Sequence, residues 1–214
     1  MNRLLQPVLN QRFPKKGDVL FKPDRGPGRG LVTDPVGFRN FDGSFNPSEG
    51  LHIYEHGYKQ AADVLCQKAI DECHVHTLVF PIVFLCRHYI ELSLKLLVLD
   101  ASRFATDAAA PQHKHDLRTL WKEAKTILPA VWPEVEPEQV EVVEACIIEM
   151  SELDPASMAF RYPCDKKGNL HLEKLHSVDL RNLEDVMDGI GNFLYCMGEA
   201  IAQQLEFQGG VGCF

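Results

Sequence analysis

Three short stretches carry side chains able to do chemistry together: RHYIEL at Arg87–Leu92, HDLRTLW at His115–Trp121 and FRYPCDKKG at Phe160–Gly168. Each sets a charged or titratable group beside bulky apolar anchors, the arrangement expected where a core holds a polar pocket in shape. The imidazoles of His88 and His115 can exchange protons near neutral pH. The guanidiniums of Arg87 and Arg161 can stabilise developing negative charge, and Glu91 can orient Arg87. The structural reading of the same residues is a buried Arg87–Glu91 ion pair, a His115–Asp116 helix cap and an Arg161 left on the surface. Both readings stand at this level.

The element that must position these groups is Leu78–Asp100, LVFPIVFLCRHYIELSLKLLVLD, the densest apolar stretch of the chain. At about 100° of rotation per residue, Arg87, Glu91, Lys95 and His88 fall at about 0°, 40°, 80° and 100°. One narrow polar stripe therefore runs along a helix that is otherwise apolar enough to be surrounded by protein. Arg87 and Glu91, at i and i+4, can pair on it.

Other chemistries find less support. Cys73, His74 and His76 sit together, as do His113 and His115, but no second ligand pair at zinc spacing accompanies either group, so no metal and no cofactor are expected. Walker, GxGxxG, GxSxG and HExxH motifs are absent, which lowers the nucleotide-hydrolase, dehydrogenase, esterase and zinc-protease readings.

The chain has 214 residues, 45% apolar and 24% charged, the composition of an ordinary globular protein with one sizeable core. Its formal charge is −8. Residues 1–50 hold eight Lys+Arg against five Asp+Glu, a balance of +3 that leaves −11 for residues 51–214. An acidic body with a mildly basic arm suits a small, locally basic site better than general duplex binding. Leu78–Cys86 is too short an apolar run to cross a bilayer, so no membrane is expected. The N-terminus shows no apolar signal segment. Seven cysteines, an odd number lying mostly in apolar helical patterns, point to free thiols in a reducing cytoplasm.

Residues 1–50, rich in Pro and Gly but carrying Phe13, Phe21, Phe38, Phe41 and Phe45, read as an extended arm packed on a body of residues 51–214. Five helices are expected in that body. The first runs from about Ser48 to Glu72, with Tyr54, Tyr58, Ala61, Ala62, Leu65 and Ala69 facing the core. The organising helix follows, with Pro81 near its first turn. The third opens near His115–Asp116 and stops before Pro129, and the fourth spans about Glu138–Leu153. The last runs from Ser177 to about Gln208 on Leu180, Leu183, Met187, Ile190, Leu194, Met197, Ile201 and Leu205. Between the last two, a turn at Asp165–Gly168 predicts a small β-hairpin or irregular excursion. Gly189, Gly191 and Gly198 in the last helix suggest a close helix approach, within the fold or across a dimer. The fold class is all-α, a bundle with the second and last helices central.

The order of these parts, RHxxELxLK at Arg87–Lys95, HDLxxLW at His115–Trp121, FRYPxDxxG at Phe160–Gly168 and a long final helix, resembles bacterial HEPN-like helical proteins. The resemblance covers roughly residues 51–208. It implies an RNA- or nucleotide-processing effector of a toxin or defence system, acting as a metal-independent ribonuclease, with RNA or a nucleotide as ligand and a homodimer as assembly. His115 or His88 would then be the base, Arg87 and Arg161 the cations, and Glu91 the group that orients Arg87. The family's ribonuclease signature, an Arg with a His after four to six intervening residues, does not occur here. The alternative is a non-catalytic HEPN-like binding or assembly subunit, whose arm or acidic surface engages a protein partner.

Overall fold

The computed structural model describes residues 47–73, 75–104 and 115–211. The expected arm lies almost wholly outside them, and its last residues open the first helix. Among the described residues the fold is all-α: α1 (Pro47–Asp71), α2 (Val75–Ala101) with a 3-10 turn at Ser102–Phe104, α3 (Leu117–Lys125), the single turn α4 (Leu128–Val131), α5 (Pro137–Leu153) and α6 (Leu180–Val211). No helix among them is long and apolar enough to cross a membrane.

α1 and α2 form a helical hairpin, and α2 also packs on α3 and α6. The reversal passes through Cys73 at φ 55°, a left-handed position that costs a residue with a Cβ about 1–2 kcal/mol. Because α2 starts at Val75, Pro81 is its seventh residue rather than a first-turn residue, so the helix forgoes one backbone hydrogen bond there. Of the expected core face of α1, Ala62 and Ala69 are buried and Tyr58 and Leu65 pack against the core, whereas Tyr54 and Ala61 face outward and Cys66 is buried in addition. The reason is the partner: α2 meets α1 along the line that contains Cys66, and a thiol packs there as a small hydrophobe.

Ile82, Cys86, Tyr89, Ile90, Leu94 and Leu97 of α2 meet Leu117, Leu120 and Trp121 of α3 and Met187, Ile190, Leu194, Met197 and Ile201 of α6 in one core. α6 begins at Leu180, three residues after the expected start, because the Asp179 carboxylate caps it by accepting from the Arg181 and Asn182 N–H groups at 3.0 and 3.2 Å. Gly191 answers to a contact within this chain. A Cβ there would lie 3.0 Å from the Tyr89 hydroxyl, whereas one at Gly189 would meet nothing within 4 Å. The cysteines among the described residues are free thiols. Burial pushes Cys66 up to about 11 and Cys86 up to about 12.

Between α5 and α6 the chain makes an irregular excursion with one isolated antiparallel bridge, Cys164 with Leu170, rather than paired strands. Local side chains hold it in place of a ladder. The Asp165 carboxylate accepts from the Lys167 and Asn169 N–H groups at 2.7 and 2.9 Å, and Gly168 supplies the positive φ of the turn. Phe160 anchors the excursion in a small second core with Val83 and Ala159.

Candidate functional site

The stripe on α2 is real, and half of it is sealed. Arg87 is 0% exposed, and each of its nitrogens donates: Nε to the Asp154 carbonyl at 2.9 Å, Nη1 to Glu91 Oε2 at 3.0 Å and Nη2 to the His115 carbonyl at 3.1 Å. The guanidinium thus joins three elements: α2, the end of α5 and the entry to α3. With every direction used, it has no surface left for a ligand. Asp154 extends the junction, accepting the Met158 and Ala159 N–H groups on Oδ1 at 2.6 and 2.9 Å while Oδ2 is buried without a hydrogen-bond partner. That second oxygen lies 3.8 Å from Arg87 Nε and has the cation's field in place of a donor. Arg87 therefore fixes both the residue that leads into α3 and the turn that leads to Arg161.

Glu91 is equally buried but reaches the surface through its partners. Oε1 accepts from Lys95 Nζ at 2.7 Å and lies 2.8 Å from His115 Nδ1, while Oε2 takes the Arg87 bond. Burial alone would raise its carboxyl; hydrogen bonds from Lys95, His115 and Arg87 outweigh burial and hold it below the usual carboxylate range. An ionised Glu91 can only accept, so Nδ1 of His115 carries the proton and Nε2 of the neutral ring is the free base. The His115 side chain is 72% exposed. A sealed carboxylate thus orients an open imidazole. Asp116, next in the chain, is the α3 cap, accepting from the Thr119 N–H at 3.1 Å and the Thr119 hydroxyl at 2.5 Å, and these bonds hold it below its usual range.

The other two expected residues stand outside this hydrogen-bonded junction. His88 is half-buried, edge-on to Tyr58 at 4.3 Å and stacked parallel to Phe84 at 6.0 Å between centroids. Burial lowers its pKa against the pull of Glu91, and the charges of Lys95, Arg87 and His115 act in the same direction as burial. Arg161 is exposed, its guanidinium 5.7 Å from the Phe84 ring and 5.5 Å from the Tyr162 ring. Arg87, Glu91 and His115 are hydrogen-bonded together; His88 is within electrostatic reach of them; Arg161 joins only through Phe84.

Helical spacing places Lys95 on the stripe without assigning its bond to Glu91. Asp154 has no place in the sequence-based expectation, although an aspartate at a helix end ahead of Pro155 is a turn-capping signal. Among the described residues no group of three or more His, Cys, Asp or Glu side chains is poised to hold a metal ion. Comparison of the chain with family models, with curated proteins and with solved structures finds no match.

Proposed function

We propose that the protein is a HEPN-like RNA-processing effector in which His115, oriented by Glu91, removes the proton from a ribose 2′-hydroxyl. The observation that carries this reading is the 2.8 Å contact between His115 Nδ1 and the buried Glu91, with the rest of the ring open. A carboxylate that fixes one ring nitrogen selects the tautomer whose other nitrogen is basic, and an exposed ring can meet a substrate. The 2′-oxygen attacks the adjacent phosphorus, its proton passes to Nε2, and the 5′-oxygen leaves with a proton from water. Lys95 brings positive charge beside the base. Arg87 acts as a positioning residue, holding the His115 backbone and Glu91 rather than touching phosphate.

The test is RNA cleavage and growth toxicity of the wild type beside His115→Ala. The expected outcome is a loss of about 10²–10⁴-fold in cleavage, with stability lowered by only about 1 kcal/mol, because Glu91 keeps Arg87 and Lys95 as donors. Cleavage retained by His115→Ala, or absent from the wild type, would overturn the catalytic reading. The second reading, a non-catalytic subunit of the same class, is favoured by the sealed and fully bonded Arg87. It predicts that His115→Ala changes neither readout.

A further inference from the structure

The excursion between α5 and α6 builds a cleft of about 450 Å³ on the surface beside α2, lined by Phe80, Phe160, Arg161, Tyr162, Pro163 and Leu170. Much of that lining is exposed apolar surface: Phe80 is 46%, Tyr162 47% and Leu170 63% accessible. The bridge from Cys164 to Leu170, the His171 N–H donating to the Pro163 carbonyl at 3.1 Å and the Asp165 turn hold the walls in place without a ligand.

Charge distinguishes this patch from an ordinary sticky surface. Residues 155–176 carry four Lys+Arg against two Asp+Glu, +2, while residues 51–214 as a whole carry −11. Arg161 is held by two aromatic rings and the Met158 sulfur, and among the described residues no carboxylate pairs with it. Lys166 and Lys167 are exposed on the turn of the same excursion. From Phe80 at the edge of the cleft, one face of α2 leads towards His115. Phe80, Phe84 and His88 follow one another at four-residue intervals on α2, about 6 Å apart along its axis, and Glu91, which holds His115, lies one turn beyond His88.

We propose that this cleft binds single-stranded RNA, with a nucleobase inserted against Phe80, Tyr162 and Leu170 and its phosphate on Arg161, so that the strand runs along α2 towards His115. Apolar and aromatic walls take the face of a base and an unneutralised guanidinium takes a phosphate oxygen; the first contact is blocked in a duplex, whose bases are stacked and paired. Glu173 adds an acceptor to the lining, which suits a base carrying an exocyclic amino group. The inference rests on the RNA-processing reading for the identity of its ligand, but not on His115 being catalytic.

The experiment is fluorescence anisotropy on the full chain carrying His115→Ala, so that RNA is bound without being cut. The probes are a labelled twelve-nucleotide strand of alternating adenosine and cytidine and the duplex it forms with its complement. The single strand should bind saturably and the duplex at least tenfold more weakly. Adding Tyr162→Ala or Phe80→Ala should weaken single-strand binding by about ten- to a hundredfold, the loss of one stacked base, and Arg161→Met should flatten its salt dependence. Binding that is equal for duplex and single strand, or indifferent to Tyr162→Ala, overturns the inference. So does self-association through the cleft without RNA binding, which would make it a protein contact. Tight single-strand binding by His115→Ala together with a wild type that cleaves nothing keeps the cleft and removes the catalytic reading. Cleavage by a Tyr162→Ala enzyme with unchanged KM does the reverse.

Discussion

Replacing Arg87 by Met tests the junction most directly, because the structure sets what is lost. The substitution keeps the apolar volume of the stem but removes three hydrogen bonds: two to main-chain carbonyls, Asp154 and His115, and one to Glu91. Breaking a buried ion pair from one side costs about 3–5 kcal/mol. Glu91 keeps Lys95 and His115 as donors, which moves its share towards the low end. The Asp154 carbonyl, buried and left with only the Ser157 N–H at 3.4 Å, adds about 1 kcal/mol. A total near 4 kcal/mol is a large fraction of the 5–15 kcal/mol that holds a typical domain together. With a urea slope of about 2 kcal/mol per molar, the midpoint should fall by about 2 M. Glu91→Leu alone should cost a similar amount by leaving the cation buried. The double variant should cost less than the sum of the singles, by a coupling of about 1–3 kcal/mol, yet should not return to wild type, because the Asp154 and His115 carbonyls lose the Arg87 donor and Lys95 loses Glu91. The assay is equilibrium urea unfolding of the four proteins, with slopes compared. A loss below about 1 kcal/mol in Arg87→Met at unchanged slope would falsify the keystone role. Additive single losses would refute the pairing.

Two further outcomes follow from local geometry. Gly191→Ala should destabilise by about 1–2 kcal/mol, since its Cβ would press on the Tyr89 hydroxyl at 3.0 Å, while Gly189→Ala, in open space, should stabilise by up to about 1 kcal/mol; thermal melts showing the same sign for both would remove the Tyr89 contact as the cause. His88 has a lowered pKa from burial, so the unfolded chain takes up its proton first. The neutral ring's contribution is complete above the unfolded value of about 6.5 and is lost as pH falls through the lower folded value. His88→Phe should therefore flatten the stability–pH curve just below pH 6.5, but leave the separate loss due to Glu91, which begins only below the ordinary glutamate value of about 4.3. Urea midpoints from pH 7 to pH 4 separate the two windows, and an unchanged slope between pH 6.5 and 5 in His88→Phe would contradict the burial argument.

The sequence by itself determined the helices and the stripe. Apolar residues at three- and four-residue intervals specify α3, α5 and α6 because a helix repeats its face at 3.6 residues whatever it packs against. The i,i+4 spacing of Arg87, Glu91 and Lys95 places them together for the same reason, and Glu91 does bond both neighbours. What periodicity could not contain is any relation between separate elements. Whether Arg87 opens to solvent depends on the Asp154 and His115 carbonyls, and main-chain groups carry no sequence signature. His115 becomes an oriented base only because α3 enters beside Glu91. The burial of Cys66 on α1 and the fit of Gly191 to Tyr89 likewise depend on helix packing, where displacements of a few tenths of an ångström decide contacts. Asp165 shows the converse, since its Asx turn closes on residues two and four ahead and needs no distant partner to form.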